Sequence, residues 1–283
     1  MKWQGRRESR NIEDRRSQGS RTRRAGGVGG VGLIAVLAIG YFLGIDVTPL
    51  LQDQGGGQVS SPAPMTAADE QAGRFVAVTL ADTEEVWADI FRDQLGRSYT
   101  PATLVLFKGV TGSPCGGASG ASGPFYCPGD KKAYLDTDFF VTLDRQLGAK
   151  GDFAAAYVVA HEIAHHVQNE LGILSRANEV RAQVSQAESN AISVRIELQA
   201  DCFSGIWARS AQQKFGSIDR GDLEEAVNAA RQIGDDTLQR NAGRRPNPHS
   251  FTHGTAEQRA RWFVTGYQSG TVAACDTFST NDI

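Results

Sequence analysis

The chain has 283 residues, with 29 Lys and Arg against 32 Asp and Glu and a formal net charge of −3. With 40% hydrophobic and 22% charged residues, 9 Pro and 32 Gly, its composition is globular, which excludes whole-chain disorder and a collagen-like repeat. The charge is split. Residues 1–24 carry nine basic and three acidic residues, a balance of +6 that leaves −9 for the rest, and an acidic body of that kind argues against nucleic acid as a partner.

In chain order, residues 1–25 read as a basic tail, and residues 26–45 (GGVGGVGLIAVLAIGYFLGI) form a run of twenty positions without a charge. About twenty apolar residues span a ~30 Å hydrocarbon core. The small-residue pair of a signal-peptidase site is missing from GIDVTPLLQDQ, so the run is expected to be an uncleaved transmembrane signal anchor. No Lys or Arg follows it until Arg74. The positive-inside bias then leaves residue 1 in the cytoplasm and everything after about residue 46 outside the cytoplasmic membrane, in the periplasm or its equivalent. Residues 46–66, with GGG at 55–57 and SSPAP at 60–64, have linker composition.

Residues 67–283 are enough for one well-buried domain. Helices are expected at Thr83–Leu95, Thr137–Leu147, Asp152 (as N-cap) to Leu171, Asn190–Phe215, Asp222–Ile233 and Thr255–Tyr267. Short strands are expected at Ala102–Phe107 and after the Pro-Gly-Asp turn in YCPGDKKAYLD. The expected fold class is therefore α+β, mostly helical with a small sheet. Cys115, Cys127, Cys202 and Cys275 are even in number and contain no C-x-x-C pair, so two disulfides are expected in an oxidising compartment. Of the three connectivities, Cys115–Cys127 closes a short Gly/Ser/Pro-rich loop and leaves Cys202–Cys275.

His161-Glu162-Ile163-Ala164-His165 carries the chemistry. Positions i and i+4 of a helix project from one face about one turn apart, which lets two imidazoles bind one Zn²⁺. Glu162 sits beside the first ligand, where a carboxylate can take a proton from water activated by the metal. The flanks AAAYVVA, Ile163, Ala164 and Val167 make the helix apolar all round and hence buried. Buried imidazoles and a buried carboxylate need polar partners, and one metal ion satisfies them together.

A catalytic zinc needs a third protein ligand, and Glu197 in ELQAD is the best candidate. Asp201 lies one turn further on, on the same face, where it can hold the other ring N–H of a ligating histidine. His166 diverges by about 100° from His165 and is expected to pack elsewhere. His253 either contributes to the helix start at Thr255 or donates a hydrogen bond to a developing oxyanion. His249 is the weaker candidate.

With these residues in view, the chain resembles the bacterial family of membrane-anchored neutral zinc metallopeptidases related to the gluzincins. The resemblance rests on KWQGRRESRNIEDRR, GPFYCPGDKKAYLD, GDFAAAYVVAHEIAHHVQ, RIELQADCFSGIW, GDLEEAVNAARQIGDD and FTHGTAEQRARWF in one order. It implies a zincin-like domain, one catalytic Zn²⁺ on His161, His165 and Glu197, Glu162 as general base and acid, and Asp201 behind the ligands. It also implies that the 131–136 strand is the sheet edge along which an extended peptide lies. The leading expectation is a membrane-anchored zinc endopeptidase acting on a peptide or protein substrate near the membrane. The alternatives are a tethered scaffold with structural zinc or latent activity, and a zinc amidase acting on a non-protein amide.

Overall fold

The computed structural model describes residues 1–17, 65–119, 123–145 and 147–283. The apolar run at 26–45 and the linker up to residue 64 lie outside this set. Among the described residues no helix is long and apolar enough to cross a membrane.

The fold is mostly helical with a small sheet, as expected. Strands β1 (Ile12–Asp14), β2 (Thr103–Phe107), β3 (Val110–Ser113), β4 (Gly116–Ser119), β5 (Phe125–Cys127) and β6 (Lys132–Asp136) form two sheets. The larger has the order β1-β2-β6-β5, and β3 and β4 form a separate hairpin. β1 and β6 both run parallel to β2, whereas β5 is antiparallel to β6. β2 is apolar on both faces. Leu104 and Leu106 enter the helical core, and Val105 and Phe107 join Tyr134 and Cys127 in a second cluster, following the two-residue period of a strand.

Two expectations are corrected here. β6 is an internal strand, because β5 pairs along it from Lys132 to Tyr134; the free edges of the sheet belong to β1 and β5. Residues 1–17 are not a free tail. Their β1 pairs with β2, Trp3 meets Phe75 edge-on with ring centroids 5.5 Å apart, and Arg6 donates to Asp82 at 2.7 Å. Local composition shows the excess charge of this segment but not its acidic partners, which lie some 75 residues away.

The helices are α1 (Ala67–Leu95), α2 (Phe139–Arg145), α3 (Asp152–Glu170), α4 (Ile173–Arg181), α5 (Gln186–Phe215), α6 (Asp222–Gln232), α7 (Asp235–Asn241) and α8 (Ala256–Ser269). α1 starts well before Thr83, from a Thr66/Asp69 capping box, and runs buried from Phe75 to Thr83. α3 begins at Asp152 with Gly151 as its cap rather than Asp152 itself. It is buried continuously from Phe153 to Ala164, as an all-apolar helix must be. α5 is launched by a Ser185/Glu188 capping box and α8 by a Thr255/Gln258 capping box. α8 lies backbone to backbone against α5: a Cβ on Gly205 would stand 2.0 Å from the Phe263 carbonyl oxygen, and one on Gly266 1.8 Å from that of Cys202. Only glycine fits at either position.

Both disulfides form as Cys115–Cys127 and Cys202–Cys275, closing separations of 12 and 73 residues. Loop-closure entropy grows with length, so Cys202→Ala/Cys275→Ala is expected to cost more stability, about 2–4 kcal/mol, than losing the short bridge. Thermal unfolding of the two double variants measures the difference.

Candidate metal centre

α3 and α5 face each other across the core, and the side chains singled out by the sequence meet there. His161 is 6% and Glu162 8% exposed, on a helix whose other faces are filled by apolar side chains. Glu197 projects from α5 toward both histidines, with its Oε2 3.1 Å from His161 Nε2 and its Oε1 3.4 Å from His165 Nε2. The three donors lie within 4.8 Å of one another. Ligands ~2.0–2.1 Å from a tetrahedral zinc stand about 3.3–3.4 Å apart, so the observed separations fit one ion.

The far side of each imidazole is also held. His161 Nδ1 is 2.9 Å from Asp201 Oδ1. His165 Nδ1 is 2.9 Å from Gln168 Oε1. Gln168, fully buried, donates its amide to the Ile196 carbonyl at 2.8 Å and to Gln199 Oε1 at 3.0 Å. A carbonyl can only accept, so Gln168 Oε1 must be the acceptor facing His165, which places a proton on His165 Nδ1. Both imidazoles are thereby held with Nε2 directed at the Glu197 carboxylate. Two ring lone pairs against a carboxylate need a cation between them, and zinc has the matching donor preference.

The electrostatics agree. Burial would lower the basicity of His161, but Asp201 and Glu197 outweigh it and raise its pKa to about 10 in the metal-free protein. Burial also acts to raise Glu197, yet His165 and His161 pull its carboxyl well below the ordinary value. Glu162 behaves differently: burial pushes it up, against the opposing pull of His165 and His161. No side-chain hydrogen bond holds the Glu162 carboxylate among the described residues, so the two acids are tuned in opposite directions, Glu197 toward its ionised form and Glu162 toward its neutral one.

Asp201 is completely buried, stands at ion-pair distance from His161 and accepts three hydrogen bonds. Besides His161 it takes the Tyr157 hydroxyl at 2.5 Å and a bidentate pair from Arg259 at 2.9 and 3.0 Å. Arg259, 2% exposed on α8, also donates to the Tyr157 oxygen at 3.2 Å. Burial would raise the Asp201 carboxyl, but Arg259 and His161 keep it low and ionised.

His253 lies on the loop ahead of α8. Its Nδ1 is 3.2 Å from Asp235 Oδ1, and the other oxygen of Asp235 takes the backbone N–H groups of Thr252, His253 and Gly254. Thr255, not His253, caps α8. The imidazole remains 47% accessible to solvent yet is close enough to Glu197 to feel its charge. Partial burial lowers its basicity, but Asp235 and Glu197 raise it above 6.5. His166 is buried between the Tyr126 hydroxyl, 3.0 Å away, and the Thr100 carbonyl, 2.7 Å away, and takes no part in the cluster. His249 is exposed and offers its backbone carbonyl to Asn190.

Sequence reasoning missed Gln168, Tyr157, Arg259 and Asp235. Gln168 stands at i+3 from His165 and Tyr157 at i−4 from His161, spacings that place them on the ligand face. Arg259 in AEQRAR and Asp235 in GDD carry no local signal of burial.

Two imidazoles and a carboxylate converge on one point, with a glutamate beside them, and form a candidate metal centre. The chain belongs to the family described as "Putative neutral zinc metallopeptidase", whose pattern matches residues 1–278. It is 45% identical to the uncharacterized protein YpfJ of Escherichia coli strain K12 over 285 residues, covering 98% of this chain and 99% of that one. It is 44% identical over 232 residues to the uncharacterized protein Rv2575 of Mycobacterium tuberculosis strain H37Rv, covering 77% of this chain and 75% of that one. No solved structure matches it.

Proposed function

We propose that this chain is a zinc-dependent endopeptidase of an oxidising, extracytoplasmic compartment, with His161, His165 and Glu197 holding one Zn²⁺. The observation that carries the reading is the convergence of three donors beside a buried, unpaired Glu162. The two disulfides support the compartment. When bound, zinc supplies a Lewis acid for the scissile carbonyl and for the attacking water.

The chain's own residues do the rest. Glu162 takes the proton of the attacking water and passes it to the departing nitrogen, a role suited to a carboxyl whose pKa burial has raised. His253, anchored through Nδ1 to Asp235, keeps Nε2 as a donor for charge developing on the substrate oxygen. Asp201, Tyr157, Arg259 and Gln168 lock the tautomer and direction of the two imidazoles. The substrate is an extended peptide or protein segment.

Zinc analysis of the purified protein tests the centre: about one ion per chain is expected in the native protein, and Glu197→Ala should lose most of it. Undiminished zinc in Glu197→Ala would move the third ligand elsewhere. The pH profile of kcat/KM tests the two proton-handling groups. Glu162 must be ionised and His253 protonated, so the acid limb belongs to Glu162, which burial raises, and the alkaline limb to His253, which Asp235 and Glu197 raise. Asp235→Asn removes the group that raises His253 and should move only the alkaline limb to lower pH. An alkaline limb unmoved by that change would remove His253 from the reaction.

A further inference from the structure

We propose that residues 1–17 occupy the same side of the membrane as the zinc-site domain, an arrangement that a cytoplasmic head and an extracytoplasmic domain would not allow. A single crossing by the one apolar run, 26–45, would put its two flanks in different compartments. The structure packs residues 1–17, which precede that run, against α1 and β2, which follow it.

The packing is that of a core element. β1 supplies the outer strand beside β2: Leu104 donates to the Asn11 carbonyl at 2.8 Å and Arg15 donates to the Leu106 carbonyl at 2.7 Å. Without β1, the apolar strand TLVLF would present an open edge, a hazard that folded sheets cover. Arg6 fills a place made for a cation. Its guanidinium bonds Asp82, whose side chain is 4% exposed, and lies 4.2 Å from the centre of the Phe215 ring. Asp82 has no other cation at ion-pair distance among the described residues, so removing Arg6 would strand a buried carboxylate. Arg7 pairs with Glu84 and Glu85, and Glu13 with Lys132 at 2.6 Å. Of the cations counted as a topogenic tail, Arg6 and Arg7 pair with acids of α1, Lys2 with Asp219, and Arg15 and Arg16 with Glu13 and Asp14.

The ends of the intervening stretch also meet. The Arg16 guanidinium donates to the Asp69 carbonyl in the first turn of α1, and a Cβ on Gly73 would stand 2.6 Å from it. Glycine at position 73 leaves room for the Arg16 guanidinium, which a larger residue would push aside.

The test uses the full chain in a bacterial host. All native cysteines are paired, so a single introduced thiol is a clean reporter. Gln4 and Ser175 are exposed and neutral, and replacing them leaves the charge of the head and of the domain unchanged. Gln4→Cys and Ser175→Cys are treated with a membrane-impermeant maleimide in intact spheroplasts and again after permeabilisation. The expected result is that both thiols label alike in both conditions. Labelling of both only after permeabilisation supports the same-side placement equally, while moving the domain to the cytoplasm against the compartment reading above. Labelling of Ser175→Cys in intact spheroplasts with Gln4→Cys reacting only after permeabilisation overturns the proposal. As a second measure, Arg6→Asp and Asp82→Arg should each lower the melting temperature of the purified full chain, and the double swap should recover part of the loss. A melting temperature indifferent to Arg6→Asp would mean that the head is not docked.

Discussion

Glu162→Gln is expected to retain a full complement of zinc and a native melting temperature while losing peptide hydrolysis by about 10²–10⁴-fold in kcat. The substitution is nearly isosteric and removes only the capacity to carry a proton. The structure makes the outcome specific. Glu162 is buried beside both histidines but bonds neither, and burial alone accounts for most of the rise in its pKa. It therefore contributes nothing to ligand geometry that glutamine would take away. The measurement is cleavage of a peptide library by the purified full chain, with zinc quantified in the same sample. An active Glu162→Gln protein would remove Glu162 from the proton-transfer role. Activity on a non-protein amide with none on peptides would redirect the substrate class and leave the zinc site intact.

Arg259→Met should act in the opposite way, through the fold. It leaves Asp201, which has no exposed surface, with its carboxylate facing Tyr157 and His161 and no permanent cation. Breaking one partner of a buried pair costs about 3–5 kcal/mol, and for a domain of this size that is a fall of roughly 10 °C in melting temperature. Zinc affinity should drop with it, because the Asp201 that orients His161 is free to neutralise or turn away; loss of such a partner is worth about 10–100-fold. Asp201→Asn combined with Arg259→Met removes both charges and should recover part of the stability but not the zinc affinity. A single Arg259→Met protein that melts like the parent would show that Arg259 is not the counter-ion the geometry makes it.

How much of this was legible in the sequence depends on distance along the chain. The two histidines, Glu162, Glu197 and Asp201 sit in two short strings whose helical spacing already places them on single faces. The structure brings those faces together at 3.1 and 3.4 Å. The boundaries of α6 and α8 were readable because caps and stop signals are local. The first half of α1 was not, since FVAVTLA is apolar on every face and shows no amphipathic period. α4 and α7 are short, and β5 has only three residues, so the strand that covers β6 left too little pattern to read. Arg259 looks like any arginine on a polar helix; its burial is decided by Asp201, 58 residues earlier. The docking of the basic head was hidden for the same reason, because its partners Asp82, Glu84 and Glu85 lie more than 70 residues beyond it.

The glycine contact between α5 and α8 bears on timing. A ribosome makes both imidazoles, Glu162 and Glu197 long before it makes Arg259 and Cys275, which settle Asp201 and tie down α5 through Cys202. Until that late helix seats on Gly205, the nascent chain holds the ligands but not the counter-ion or the bridge that fixes them. It follows that the counter-ion of Asp201 and the bridge to α5 are both supplied only by the last part of the chain to be made.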